Sequence, residues 1–86
     1  MKIDYHKKFY KTFDKLPIKI QEKFYERLRI FSQTPFNAIL NNHALTGEYR
    51  GYRSIDITGD LRAIFELIDK DTALFIIVDT HSNLYK

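Results

Sequence analysis

Cysteine is absent from this 86-residue chain. That excludes a disulfide framework and any zinc site built on thiolates. Glycine is scarce as well: its three residues, Gly47, Gly51 and Gly59, are too scattered for a P-loop or a dinucleotide-binding turn. HExxH and GxSxG patterns are missing too. No stretch approaches the roughly 18 apolar residues of a membrane span. The opening MKIDYHKKFYK lacks the apolar core of a signal peptide. These absences predict a soluble cytoplasmic protein without a membrane partner. With no internal repeat, linker or low-complexity segment, residues 1–86 are expected to form one domain.

What is present is aromatic and unevenly charged. Six Tyr and seven Phe make up 15 % of the chain. Each ring buries roughly 150–250 Å², which lets a thin core gain area per residue. The net charge is +3. Residues 1–36 hold nine Lys/Arg against four Asp/Glu, and residues 37–86 hold five against seven, so +5 opposes −2. A basic half of this kind is either a solvated helix face or a surface that meets a polyanion.

Periodicity divides the chain. Lys2 to Tyr5 is a candidate first strand. Phe9, Phe13 and Leu16 then recur at helical spacing. Pro17 breaks that run and can open a second helix with Ile20, Phe24, Leu28 and Phe31 on one stripe, ended by Ser32–Pro35. Residues 36–51 read as a loop. After it the period becomes two, with Ile55 and Ile57 alternating with Ser54 and Asp56. Turns at 58–60 and 69–72 separate a strand over 61–68 from one over 73–78. The last run is apolar on both faces and is expected inside the sheet. The order β-α-α-β-β-β predicts an α+β fold, a helical hairpin on one face of a mainly antiparallel four-stranded sheet.

Strand parity gathers polar residues on the other face, because residues two apart point the same way. Asp56 and Arg62 fall there, and His81 leaves the last strand close by. The loop carrying His43, the turn carrying Asp60 and the tail carrying His81 and Tyr85 can converge at one edge, with Arg53 or Asp56. Two histidines and an arginine suit phosphodiester cleavage: one imidazole takes a proton, the other gives one, and the guanidinium offsets phosphoryl charge. No metal and no cofactor is called for. Tyrosines such as Tyr52 can stack on unpaired bases. Against this stand blander readings. A lone surface histidine is usually a bystander, as expected of His6, and a strand arginine often just pairs with a carboxylate across the sheet.

Four blocks of the C-terminal half carry a resemblance: His43-Ala44-Leu45-Thr46-Gly47, Gly51 to Ile57, Asp60 to Phe65, and Asp79-Thr80-His81-Ser82-Asn83-Leu84-Tyr85. In order and spacing they resemble the RelE/ParE superfamily of type II toxins, most nearly its YafQ branch. The resemblance implies a toxin that cleaves mRNA in the ribosomal A site and is neutralised by a cognate antitoxin in a hetero-oligomer. It implies a catalytic role for His43, a general acid in His81, an acidic site residue in Asp60, a phosphate-holding arginine in Arg62 and an aromatic wall in Tyr85. Tyr52, Arg53 and Asp56 become candidate substrate-binding residues.

Three positions depart from that pattern. Asp56 stands where the branch often has a second strand histidine, Leu61 replaces a tryptophan, and Ile77 replaces an arginine four residues before the tail histidine. Two further readings therefore stay open: a degenerate domain that keeps antitoxin binding without cleavage, and a toxin of the gyrase-poisoning ParE kind. The antitoxin is expected to bring an amphipathic segment to the helices or across the site.

Overall fold

The computed structural model describes residues 1–84. Strand β1 (Lys2–Tyr5) leads into helix α1 (Lys7–Phe13) and helix α2 (Ile18–Gln33). Strands β2 (His43–Ala44), β3 (Arg53–Asp56), β4 (Leu61–Asp69) and β5 (Thr72–Thr80) follow, and a last helical turn α3 (His81–Leu84) closes the described chain. Single 3-10 turns at Ala38–Leu40 and Gly47–Tyr49 shape the loop between α2 and β3.

Each helix starts for a local reason. His6 is the N-cap of α1, and its Nδ1 accepts the Lys8 N–H at 3.0 Å. That satisfies one of the donors every helix leaves open at its start. The expected bystander thus has a structural task. Pro17 has extended backbone as the N-cap of α2, one place before the helix begins. α1 stops at Phe13 rather than Leu16, and Leu16 still packs against the core from the turn.

The helical stripe reads out as expected. Phe24, Leu28 and Phe31 of α2 and Phe9 and Phe13 of α1 are buried against Ile55, Ala63, Phe65, Phe75 and Val78 of the sheet. The ring centroids of Phe31 and Phe65 lie 5.0 Å apart, those of Phe65 and Phe75 5.2 Å, and those of Phe9 and Phe24 5.3 Å. These are the offset and edge-on separations aromatic pairs prefer. A continuous phenylalanine layer therefore joins helices to sheet.

The sheet runs β1-β5-β4-β3-β2, five strands where four were expected. The extra one, β2, is two residues long and pairs His43 with Ser54 and Ala44 with Arg53. Two residues are too few for any alternation to show. β1 lies parallel to β5, and all other neighbours are antiparallel. β5 is flanked on both sides, as its doubly apolar run predicted. Ile57 lies beyond the end of β3, where its N–H closes the hairpin onto the Leu61 carbonyl at 2.9 Å.

The face away from the long helices is not simply open and polar. Leu45, Ile64 and Leu84 are buried together there, with Tyr49, Tyr52 and Ile77 packed against them. The loop after β2 and the turn of α3 thus share a second, smaller core. Gly51, at φ +95°, makes the bend just before the chain enters β3, a conformation disfavoured for residues with a Cβ. Among the described residues no helix is long and apolar enough to cross a membrane.

Candidate active site

The second core positions the polar residues beside it. Two rungs of the sheet run across this face. In one, His43 lies opposite Ser54, Ser54 opposite Ile64, and Ile64 opposite Ile77. In the next, Asp56 lies opposite Arg62 and Arg62 opposite Asp79. Directly opposed residues share a face, so Arg62 has a carboxylate across each of its two strand boundaries.

His43 is oriented by a backbone contact. Its Nδ1 lies 2.7 Å from the Asn41 carbonyl oxygen. A carbonyl only accepts, so Nδ1 carries the hydrogen and the neutral ring presents Nε2 as a proton acceptor. Asn41 adopts the left-handed conformation, φ 47°, which asparagine tolerates better than most residues. That bend delivers its carbonyl to the histidine.

Arg62 is held from two sides. Its Nη1 donates to the Thr58 and Gly59 carbonyls at 3.1 and 3.2 Å. Its Nε lies 2.9 Å from Asp56 Oδ1, with side-chain exposures of 16 % for Arg62 and 26 % for Asp56. The N–H does not point at Oδ1 well enough for an aligned hydrogen bond, so this contact is an ion pair by proximity. Asp56 Oδ2 also takes a long 3.5 Å bond from Asn41 Nδ2.

His81 opens α3 immediately after β5. Its N–H donates to the Asp60 carbonyl at 2.9 Å, which ties the helical turn to the hairpin carrying Arg62. Thr80 Oγ1 accepts the Asn83 N–H at 3.2 Å, and Asp79 Oδ1 accepts from Asn83 Nδ2 at 3.1 Å. Leu84 anchors the other end of the turn in the second core. The expected plain strand exit is therefore a capped helical turn.

His43, Ala44, Leu45, Thr46, Arg62 and His81 wall one cavity of about 250 Å³. Loop, strand and tail supply its three chemical groups, as strand parity predicted. Asp60 contributes through its main chain to His81, and its side chain is not a wall of the cavity. Asp56 sits behind Arg62 as its counter-ion. Tyr52 packs into the second core.

Arg53 is not brought together with this group. It stands one residue out of phase with Ser54, opposite core residue Phe65. Its Nε donates to Asn42 Oδ1 at 2.9 Å, and its guanidinium lies 5.3 Å from the centroid of the Phe36 ring. Tyr85 lies outside the described residues. Among those described, no three His, Asp or Glu side chains cluster as a metal site requires.

Asn41, which sets the His43 ring, and Thr46, which completes the wall, carry no signal of their own in the sequence before the loop is folded. Ile77 occupies the rung of His43 and packs with Ile64, so apolar surface stands where an arginine was expected.

A helical pair on one face of such a sheet is an arrangement this chain shares with solved structures of bacterial toxins. YafQ from E. coli superposes with a TM-score of 0.80 at 20 % identity, covering 98 % of this chain and 97 % of its own. A YoeB/ParE toxin from Agrobacterium tumefaciens gives 0.76 at 21 %, covering 94 % and 99 %. The toxin-antitoxin complex RelBE2 from Mycobacterium tuberculosis also gives 0.76 at 21 %, covering 93 % and 96 %. No family model and no curated protein matches the sequence. The likeness is one of fold, over nearly the whole chain.

Proposed function

We propose that this protein is the toxin of a type II toxin-antitoxin pair and an endoribonuclease acting on ribosome-bound mRNA. The observation that carries the reading is the convergence of His43, Arg62 and His81 on one cavity from three separate segments. In the proposed step, His43 Nε2 removes the proton of a ribose 2′-OH. The oxygen attacks the adjacent phosphorus, the bond to the 5′-oxygen breaks, and protonated His81 delivers a proton to that leaving oxygen. The products are a 2′,3′-cyclic phosphate and a free 5′-hydroxyl. Arg62 faces the charge that gathers on the non-bridging oxygens.

The partner is an antitoxin, by analogy with the RelBE2 complex. The test is expression without that partner. Growth should arrest, and His43→Ala or His81→Ala should relieve the arrest, each lowering cleavage by roughly 10²–10⁴-fold. If both variants stay as toxic as the parent chain, the assignment of acid and base is wrong.

One observation favours a second reading, a toxin-like domain that binds antitoxin without cutting RNA. Arg62 is already neutralised by Asp56, and Ile77 adds no positive charge beside it. Primer extension on ribosome-bound mRNA showing no cleavage, together with tight antitoxin binding, would select it. Gyrase inhibition in place of cleavage would instead point to the ParE kind of target.

A further inference from the structure

The Thr58-Gly59 turn that holds Arg62 also walls a second cavity, of about 410 Å³, lined by Lys23 and Arg27 of α2, Ile39 and residues 56–59. That volume falls within the roughly 300–1,000 Å³ of ligand pockets. Its charge is unbalanced. The wall holds two cations, Lys23 and Arg27, against one carboxylate, Asp56. Asp56 Oδ1 lies beside Arg62 yet accepts no hydrogen bond, and Glu26 makes only an exposed 3.5 Å contact with Lys23. Arg27 Nε and Nη1 are both buried without an acceptor among the described residues. Buried guanidinium donors are almost always paired, because nothing replaces the water they lose. Gly59, which lines the same wall, has no hydrogen bond from its N–H among the described residues either.

We propose that this cavity is a second phosphate subsite for single-stranded RNA, seating a backbone phosphate next to the one held at Arg62. The inference rests on the nuclease reading and extends it. Planar guanidinium, ammonium and backbone N–H together form the donor set that oxyanions favour. Arg27 reaches the oxyanion by rotation about its flexible side-chain torsions, exchanging an unpaired buried state for a paired one. RNA is favoured over an acidic peptide because one turn serves both cavities. Thr58 and Gly59 give their carbonyls to Arg62 and border Lys23 and Arg27, so a polymer with regularly spaced charges can engage both. Three residues before Ile39, the Phe36 ring is 70 % exposed and offers a surface on which a base can stack.

The test uses the full chain and a 2′-O-methylated single-stranded oligoribonucleotide, which binds but cannot be cut through its 2′-oxygen. Its affinity is read by fluorescence anisotropy across a salt series. Arg27→Gln should weaken binding about tenfold and reduce the slope of log affinity against log salt by about 0.7, the value for one phosphate contact on a single strand. Lys23→Gln, at a side chain that is 36 % exposed, should reduce the slope in the same direction. Unchanged affinity and slope in both variants would overturn the proposal. So would loss of antitoxin binding in Arg27→Gln with RNA binding intact, which would make this an acidic-peptide site. Binding is read here without turnover, whereas His43→Ala and His81→Ala read turnover, so the two ideas fail separately.

Discussion

Asp56→Asn is the most informative single substitution, because Asp56 opposes the group meant to bind phosphate. The Arg62 Nε and Asp56 Oδ1 atoms are 2.9 Å apart, and both side chains are largely shielded from water. With charge centres about 4 Å apart and an effective dielectric near 20, their attraction is about 4 kcal/mol before desolvation is counted. A phosphate docked on the outer edge of the guanidinium would lie about 6 Å from the carboxylate, a repulsion of about 3 kcal/mol on the same scale. Partial exposure and salt reduce that by about half, which leaves roughly tenfold in affinity or rate. Asparagine keeps the shape and an acceptor oxygen but removes the charge. Cleavage of ribosome-bound mRNA, followed by primer extension, should therefore rise about tenfold. Stability should fall by about 1 kcal/mol, between the values for exposed and buried pairs. Thermal melting checks the second half. A variant that is folded yet cleaves no faster than the parent would refute the reasoning and make Asp56 a support that Arg62 needs.

Leu84→Ala should loosen α3 and with it His81, lowering cleavage while the main core survives. About 2 kcal/mol of stability is expected to go, at the low end for a buried leucine because the site lies at the edge of the fold. Unaltered cleavage with the expected loss of stability would show that Asp60 and Thr80 hold His81 unaided. Tyr5 is half-buried among Phe9, Tyr10 and Phe75, and burial, with smaller contributions from Tyr25 and Tyr10, pushes its hydroxyl up to about 12. The unfolded chain would ionise this group near pH 10 and the folded one near 12. Its stabilisation is thus intact below pH 10 and is lost as pH rises from 10 to 12. Tyr5→Phe should flatten that decline in alkaline denaturation, and identical pH curves for the two proteins would remove Tyr5 from the account.

The phenylalanine layer was legible because its spacing is a property of the helix and needs no partner to be seen. Phe24, Leu28 and Phe31 share a stripe whatever they pack against. Strand parity likewise put Arg62 beside Asp56 and carried His81 toward both. It missed the second core, because Leu45, Tyr49 and Tyr52 belong to a loop without periodicity and meet Ile64 only after the sheet forms. Arg53 shows the opposite limit. Its neighbours in sequence are site residues, yet its parity turns it toward Phe36 and Asn42. His6 resembled His43 and His81 in kind, and only the geometry separates the helix cap from the pair that share a cavity.

The parallel pairing of β1 with β5 has a consequence for the order in which the protein can assemble. In the sheet Lys2 is paired with Thr72, and Tyr5 with Phe75. During synthesis the first strand must wait, edge exposed, until nearly all that follows has been made. Such distant contacts slow folding, since a long loop must close before they form. The same late segment delivers His81. A nascent chain halted before residue 72 would have neither a completed sheet nor the proposed acid, so the proposed activity would become available only once β5 has been made.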